Sequence, residues 1–118
     1  SGVGARVIRQ SPDQHDIDMA TVSHLPHLVG FALVDLLANS ETSLNDRIGD
    51  GFRDMTRIAG SDPTIWRHIL TDNAGWVRKK LDELIRILET IQNAAQYDPD
   101  ELQRILTNIS DYRKRLDG

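Results

Sequence analysis

Apolar residues recur at helical spacing along most of this chain. Val77, Leu81, Leu84, Ile85, Leu88 and Ile91 fall at i, i+3, i+4 and i+7, which predicts an amphipathic helix from about Asn73 to Ala95. Leu102, Ile105, Leu106, Ile109, Tyr112 and Leu116 repeat the pattern. Asp98-Pro99-Asp100-Glu101 ahead of them reads as a helix cap, with Glu101 placed for a capping box. The two helices read as an antiparallel pair joined around Gln96-Tyr97. Upstream, Asp62-Pro63 starts a helix whose apolar positions are Ile65, Trp66, Ile69 and Leu70. Phe52, Met55, Ile58 and Ala59 mark a shorter one, ended by Gly60-Ser61. Between Asn39 and Asp50 the chain is polar and reads as a loop, with one helical turn near Leu44–Ile48.

The densest apolar stretch is Leu28 to Ala38, in which Asp35 is the only charged residue. A helix that is apolar all round must be covered on all sides. A chain of 118 residues has few places to cover one, so a partner chain is expected and the domain is predicted to be a dimer. Ser11-Pro12-Asp13-Gln14 is the helix start ahead of this stretch, with Ser11 as cap and Gln14 completing a capping box. Pro26 interrupts the helix. It has no N–H and clashes with the carbonyl of Val22, so a kink or restart is expected near Ser23–Pro26, leaving a carbonyl free beside His24 and His27. Before Ser11, Val3, Ala5 and Val7 alternate with Gly4 and Arg6, the period of a strand. One strand cannot stand alone, so it pairs with a partner or belongs to a sheet outside this chain. Gly2-Val3-Gly4 lacks the preceding strand and third glycine of a dinucleotide fingerprint and reads as a turn. The fold class is all-α with one short leading strand.

Composition narrows the function classes. Net charge is −4, with acidic and basic residues interspersed, so no basic stripe marks a nucleic-acid surface. There is no cysteine, hence no disulfide, thiolate metal site or cysteine nucleophile, which fits a reducing compartment. No apolar run reaches the roughly 18 residues of a membrane span, and no signal peptide is visible. The chain begins at Ser1 without methionine, as a processed product or a piece of something longer would.

Three of the four histidines, with Asp16 and Asp18, lie between His15 and His27. These are metal-ligand residue types, but a helical metal pair prefers i, i+4. His24 and His27 stand at i, i+3 with Pro26 between them, so no metal site is expected and hydrogen-bonded, helix-capping histidines are. Arg53, Asp54 and Arg57 follow two glycines. Asp54 and Arg57 can pair at i, i+3, either as a solvated surface pair or to hold an arginine fork for a carboxylate. The glycines let other groups approach the start of this helix, and helix N-termini attract anions. Trp66 belongs to an apolar stripe, yet its N–H needs a partner, which suits the edge of a site or interface. Trp76 reads as core. Pattern and composition thus give a helical, dimeric domain with a polar cluster suited to an anion.

Certain strings go further. His15-Asp16, Ser23-His24-Leu25-Pro26-His27, Gly51-Phe52-Arg53-Asp54-Met55-Thr56-Arg57-Ile58-Ala59, then Trp66 and Asn73, resemble the C-terminal domain of prephenate and arogenate dehydrogenases in order and spacing. The resemblance implies a helical domain that dimerises by intertwining, over residues 12–118, and makes residues 1–11 the end of that family's nucleotide-binding Rossmann domain. It implies the oxidative decarboxylation of prephenate (or arogenate) with NAD or NADP in tyrosine biosynthesis, in the cytoplasm. By likeness His24 and Arg57 contact the substrate, Arg57 on a carboxylate that Asp54 helps it face. Trp66 lines the pocket, the turn at Gly51 approaches the substrate, and His15 and His27 support the cluster. The family's glycine-rich loop and catalytic histidine are missing, so no catalytic residue is expected in this chain, nor nucleotide binding by it alone. The competing expectation is a stand-alone helical ligand-binding or interaction module without catalysis. Sequence upstream of Ser1 separates the two: a G-x-G-x-x-G strand–helix unit there marks the enzyme.

Overall fold

A computed structural model describes residues 12–41 and 43–117. The leading strand expected at Val3–Val7 and the cap expected at Ser11 lie outside the described residues. Among the described residues every regular element is helical. The chain forms α1 (Pro12–Met19), a π-helical segment (Ala20–His24), α2 (Leu25–Ala38), a 3-10 turn (Asn45–Arg47), α3 (Asp50–Thr56), a second 3-10 turn (Arg57–Gly60), α4 (Pro63–Asp72), α5 (Ala74–Tyr97) and α6 (Pro99–Asp117).

The helix does not restart at Pro26. It widens instead, and the Leu25 N–H reaches back five residues to the Ala20 carbonyl. Proline cannot donate to the carbonyl four residues earlier and its ring crowds that oxygen. A wide turn just before it absorbs the mismatch and the helix runs on. As a result Asp13–Ala38 is one helix, long and apolar enough to cross a membrane by length and composition, which corrects the expectation from run length. Its packing places it inside a helical fold. Ala20 and Gly30 are buried, and α2 packs on α3 and on the turn Arg57–Gly60. A Cβ at Gly30 would lie 3.1 Å from Ile58 Cγ1 and 3.9 Å from the Met55 carbonyl oxygen, so the bare glycine lets the two segments close up.

The chain divides into two compact units, residues 1–80 and 81–118. In the first, the Asp62 side chain accepts the Thr64 N–H at 2.9 Å and Pro63 opens α4, as the sequence predicts. In the second, α5 and α6 meet at Asp98, whose side chain accepts the Glu101 N–H at 3.2 Å. Glu101 itself pairs forward with Arg104. Both helices line a cleft of about 410 Å³ that includes Ile87, Ile91 and Ile105.

The buried hydrophobic residues are few and mostly small: Ala20, Val77 and Ala94. No large side chain is fully buried among the described residues. Ile85, Ile87, Leu88, Leu106, Ile109 and Leu116, on α5 and α6, stay exposed. A folded domain ordinarily encloses its large aliphatic side chains. Contiguous apolar stripes left open mark a surface that a protein partner covers.

Candidate functional site

The π segment and α4 build the centre of the site. His24 ends the π segment and His27 follows within the first turn of α2. Trp66, one turn into α4, lies against both. The His27 and Trp66 rings stack with centroids 3.5 Å apart and planes at 15°. The His24 ring meets Trp66 edge-on at 6.1 Å and 80°. The half-buried Trp66 is therefore a wall of the site, as its place at the edge of an apolar stripe suggested.

Asn73 closes the cluster from the joint between α4 and α5. It is buried and ends α4, its N–H bonding the Ile69 carbonyl. Its side-chain Nδ2 donates to the Asp16 carbonyl oxygen at 2.8 Å and lies 3.1 Å from His24 Nδ1. One amide thus ties α1, the π segment and the α4–α5 joint together. On the other side, His27 Nδ1 lies 3.0 Å from the Ser23 carbonyl oxygen. Pro26 leaves a backbone acceptor beside the histidines, as expected, and His27 uses one.

The electrostatics favour a neutral His24. Burial first, then the charges of His27 and His15, hold its pKa below the ordinary imidazole value, while Asp16 pulls the other way. His15 is exposed and acts on the cluster through charge. Among the described residues no three His, Cys, Asp or Glu side chains converge as a metal site would need.

The arginine arm is separate. Asp54 and Arg57 approach at 3.8 Å, with their side chains 77% and 79% exposed. Arg57 opens the 3-10 turn whose next residue, Ile58, seats on Gly30, one turn beyond His27. Gly51 is exposed, and a Cβ there would meet nothing within 4 Å. The close approach expected at Gly51 occurs within this chain at Gly30 instead. Two residues thus carry more than the sequence reading gave them. Gly30 had a signal, a lone glycine inside an apolar helix. Asn73 was quoted only as part of a string, because its partners lie 57 and 49 residues away.

Comparison with known proteins gives the same direction throughout. The family described as prephenate dehydrogenase, dimerization domain, matches residues 11–108. The prephenate dehydrogenase of Bacillus subtilis (strain 168) is 38% identical over 98% of this chain, which spans 32% of that protein. The cyclohexadienyl dehydrogenase of Zymomonas mobilis is 33% identical over 85% of the chain and 36% of its own length. The chain therefore spans about a third of the curated relatives it matches. Among solved structures, Aquifex aeolicus prephenate dehydrogenase in complex with hydroxyphenyl propionate and NAD+ superposes with a TM-score of 0.86 at 36% identity, over 94% of this chain and 40% of that one. Synechocystis arogenate dehydrogenase gives 0.85 at 25% identity, over 96% and 43%.

Proposed function

Since the chain belongs to the prephenate dehydrogenase family, through its dimerization domain, we propose that it is the dimerisation and substrate-binding part of an NAD(P)-dependent prephenate or arogenate dehydrogenase. The observation that carries this reading is the cluster of His24, His27 and Trp66 around the π segment, within a chain that matches the family from residue 11 to 108. Residues 12–118 form the helical domain, and residues 1–11 are the end of the nucleotide-binding domain.

In the proposed reaction the ring carbon bearing the hydroxyl gives a hydride to the nicotinamide. The ring carboxylate leaves as carbon dioxide and the ring becomes aromatic. Among the described residues no strand leads into a glycine-rich loop that could cradle a pyrophosphate. NAD or NADP is thus held by the rest of a full-length enzyme, and this domain's part is to bind and orient the substrate. His24 contacts it and Arg57 takes a carboxylate by two parallel hydrogen bonds. Trp66 walls the pocket and His27 backs Trp66. Asp54 and His15 support from the rim, and the turn at Gly51 borders the substrate.

The second copy of the chain covers the open stripes of α5 and α6, giving a homodimer. The same partner accounts for the apolar helix Asp13–Ala38 without a membrane. A cytoplasmic location goes with this reading.

The test is activity of the full-length protein. Reduction of NAD or NADP coupled to loss of carbon dioxide from prephenate or arogenate is expected, with the 118-residue chain inert on its own. A full-length protein that turns over neither acid would overturn the assignment.

A further inference from the structure

The two histidines each have one ring nitrogen already committed, and the commitments are opposite. The Asp16 carbonyl oxygen can only accept, so the Asn73 atom 2.8 Å from it is the amide nitrogen. The same nitrogen lies 3.1 Å from His24 Nδ1. An amide NH2 has no lone pair to offer, so Nδ1 accepts its second hydrogen. A histidine whose Nδ1 accepts carries its single proton on Nε2. At His27 the reverse holds, because the Ser23 carbonyl oxygen, 3.0 Å from Nδ1, takes a proton from it.

We propose that Asn73 is a positioning residue that holds His24 as the neutral tautomer with its proton on Nε2. The outer edge of His24 then offers an uncharged N–H to a ligand oxygen, while neutral His27 offers a lone pair on Nε2. The use of that N–H toward substrate rests on the function proposed above; the tautomer does not. A neutral donor orients an oxygen without adding charge, and charge recognition is left to Arg57. The charged neighbours are mixed. Asp16 favours the cation, whereas His15 and His27 oppose it, and Asp72 and Lys79 line the cleft beside Asp16. Burial and the Asn73 donor decide for the neutral form.

Long-range 1H–15N NMR of the imidazoles in the 118-residue chain, with a pH titration, tests this. Wild-type His24 is expected to show a pyrrole-type Nε2 and a pyridine-type Nδ1 at neutral pH, with His27 the reverse. Asn73→Asp replaces the donor by a carboxylate that stabilises the imidazolium, so the His24 midpoint should rise by about one pH unit or more. Asn73→Ala should raise it less and mix the tautomers. Wild-type His24 protonated on Nδ1 would overturn the proposal, as would a folded Asn73→Asp chain in which His24 titrates as in wild type. A merely structural role for Asn73 predicts lower stability with tautomer and midpoint unmoved. Circular dichroism checks folding, and if Asn73→Asp does not fold, the wild-type tautomer and Asn73→Ser, which keeps one donor, decide. The wider reading is tested apart, in the full-length enzyme: an unchanged KM for prephenate in His24→Ala would remove the pair from the substrate while the NMR result stands by itself.

Discussion

Trp66 and His27 stack face to face, with ring centroids 3.5 Å apart, although they are far apart in sequence and on different helices. The contact fixes α4 against the start of α2 and makes one wall of the site. Aromatic pairs of this kind contribute about 0.5–1.5 kcal/mol beyond the area they bury. Trp66→Ala should therefore lower unfolding stability by more than Trp66→Phe, which keeps a stacking face. In the full-length enzyme Trp66→Ala should also raise KM. Chemical denaturation and steady-state kinetics check both, and equal stability of the two variants would remove the stacking term.

Arg57 gives the sharpest functional expectation. Its contact with Asp54 is single, long and exposed. Such a pair contributes below about 1 kcal/mol to folding, so Asp54→Ala and Arg57→Ala should unfold close to wild type. If the arginine holds a substrate carboxylate, truncation costs about 2–5 kcal/mol of binding, roughly 30- to several-thousand-fold. Arg57→Ala should raise KM far more than it lowers kcat. Arg57→Lys keeps the charge but not the fork and should fall between. An unchanged KM in Arg57→Ala would take Arg57 out of the site.

His24 makes stability depend on pH. Burial holds its pKa below the ordinary value in the folded chain. The unfolded chain keeps a value near 6.5, so between the two values the unfolded state binds more protons. The contribution of His24 is complete above about pH 6.5 and is lost as pH falls toward the folded value. Melting temperature should fall from pH 7 toward 5, and less steeply in His24→Gln. Parallel curves for the two proteins would show that His24 does not contribute.

Gly30 tests the packing under the site. A Cβ there comes within 3.1 Å of Ile58 Cγ1, tight enough that the isoleucine must give way. Gly30→Leu should destabilise by about 1–3 kcal/mol through overpacking. Gly30→Ala gains up to about 1 kcal/mol of helix propensity against a smaller clash. Adding Ile58→Val should make the alanine variant relatively better than the two single changes predict, a coupling that a double-mutant cycle reads.

The open stripes of α5 and α6 predict self-association. Sedimentation at micromolar concentration should give a dimer, and Leu88→Glu or Ile109→Glu should shift it toward monomer. A folded wild-type monomer under those conditions would overturn the homodimer.

How legible this was depends on range. The caps at Asp62 and Asp98 and the stripes of α4, α5 and α6 are local patterns, and the structure reproduces them. The trouble at Pro26 was legible as well, but not its resolution. A restart and a π turn both relieve the missing N–H, and only packing on both sides of the proline selects between them. Trp66 on the two histidines, Asn73 on Asp16 and His24, and Gly30 beneath Ile58 all join segments distant in sequence. Periodicity carries no information about such pairs. The resemblance of the His24–His27 and Gly51–Ala59 strings to a known family pointed to the site, without saying which side chains touch.

The wide turn at Ala20–His24 also sets the phase of the helix. Each residue of a regular α-helix advances about 100°, so eight residues would leave His24 about 80° round from Asp16. A five-residue reach absorbs one extra residue, and the offset shrinks to about 20°. The two then lie close enough in azimuth for one Asn73 nitrogen to meet both. In genetic terms the turn behaves as a one-codon insertion: deleting a single residue within Ala20–Ser23 should yield a smoother helix while rotating everything after it, Gly30 included, by about 100°. Length polymorphism in this short window should therefore be far less tolerated than in the loop from Asn39 to Asp50, where an added residue turns nothing.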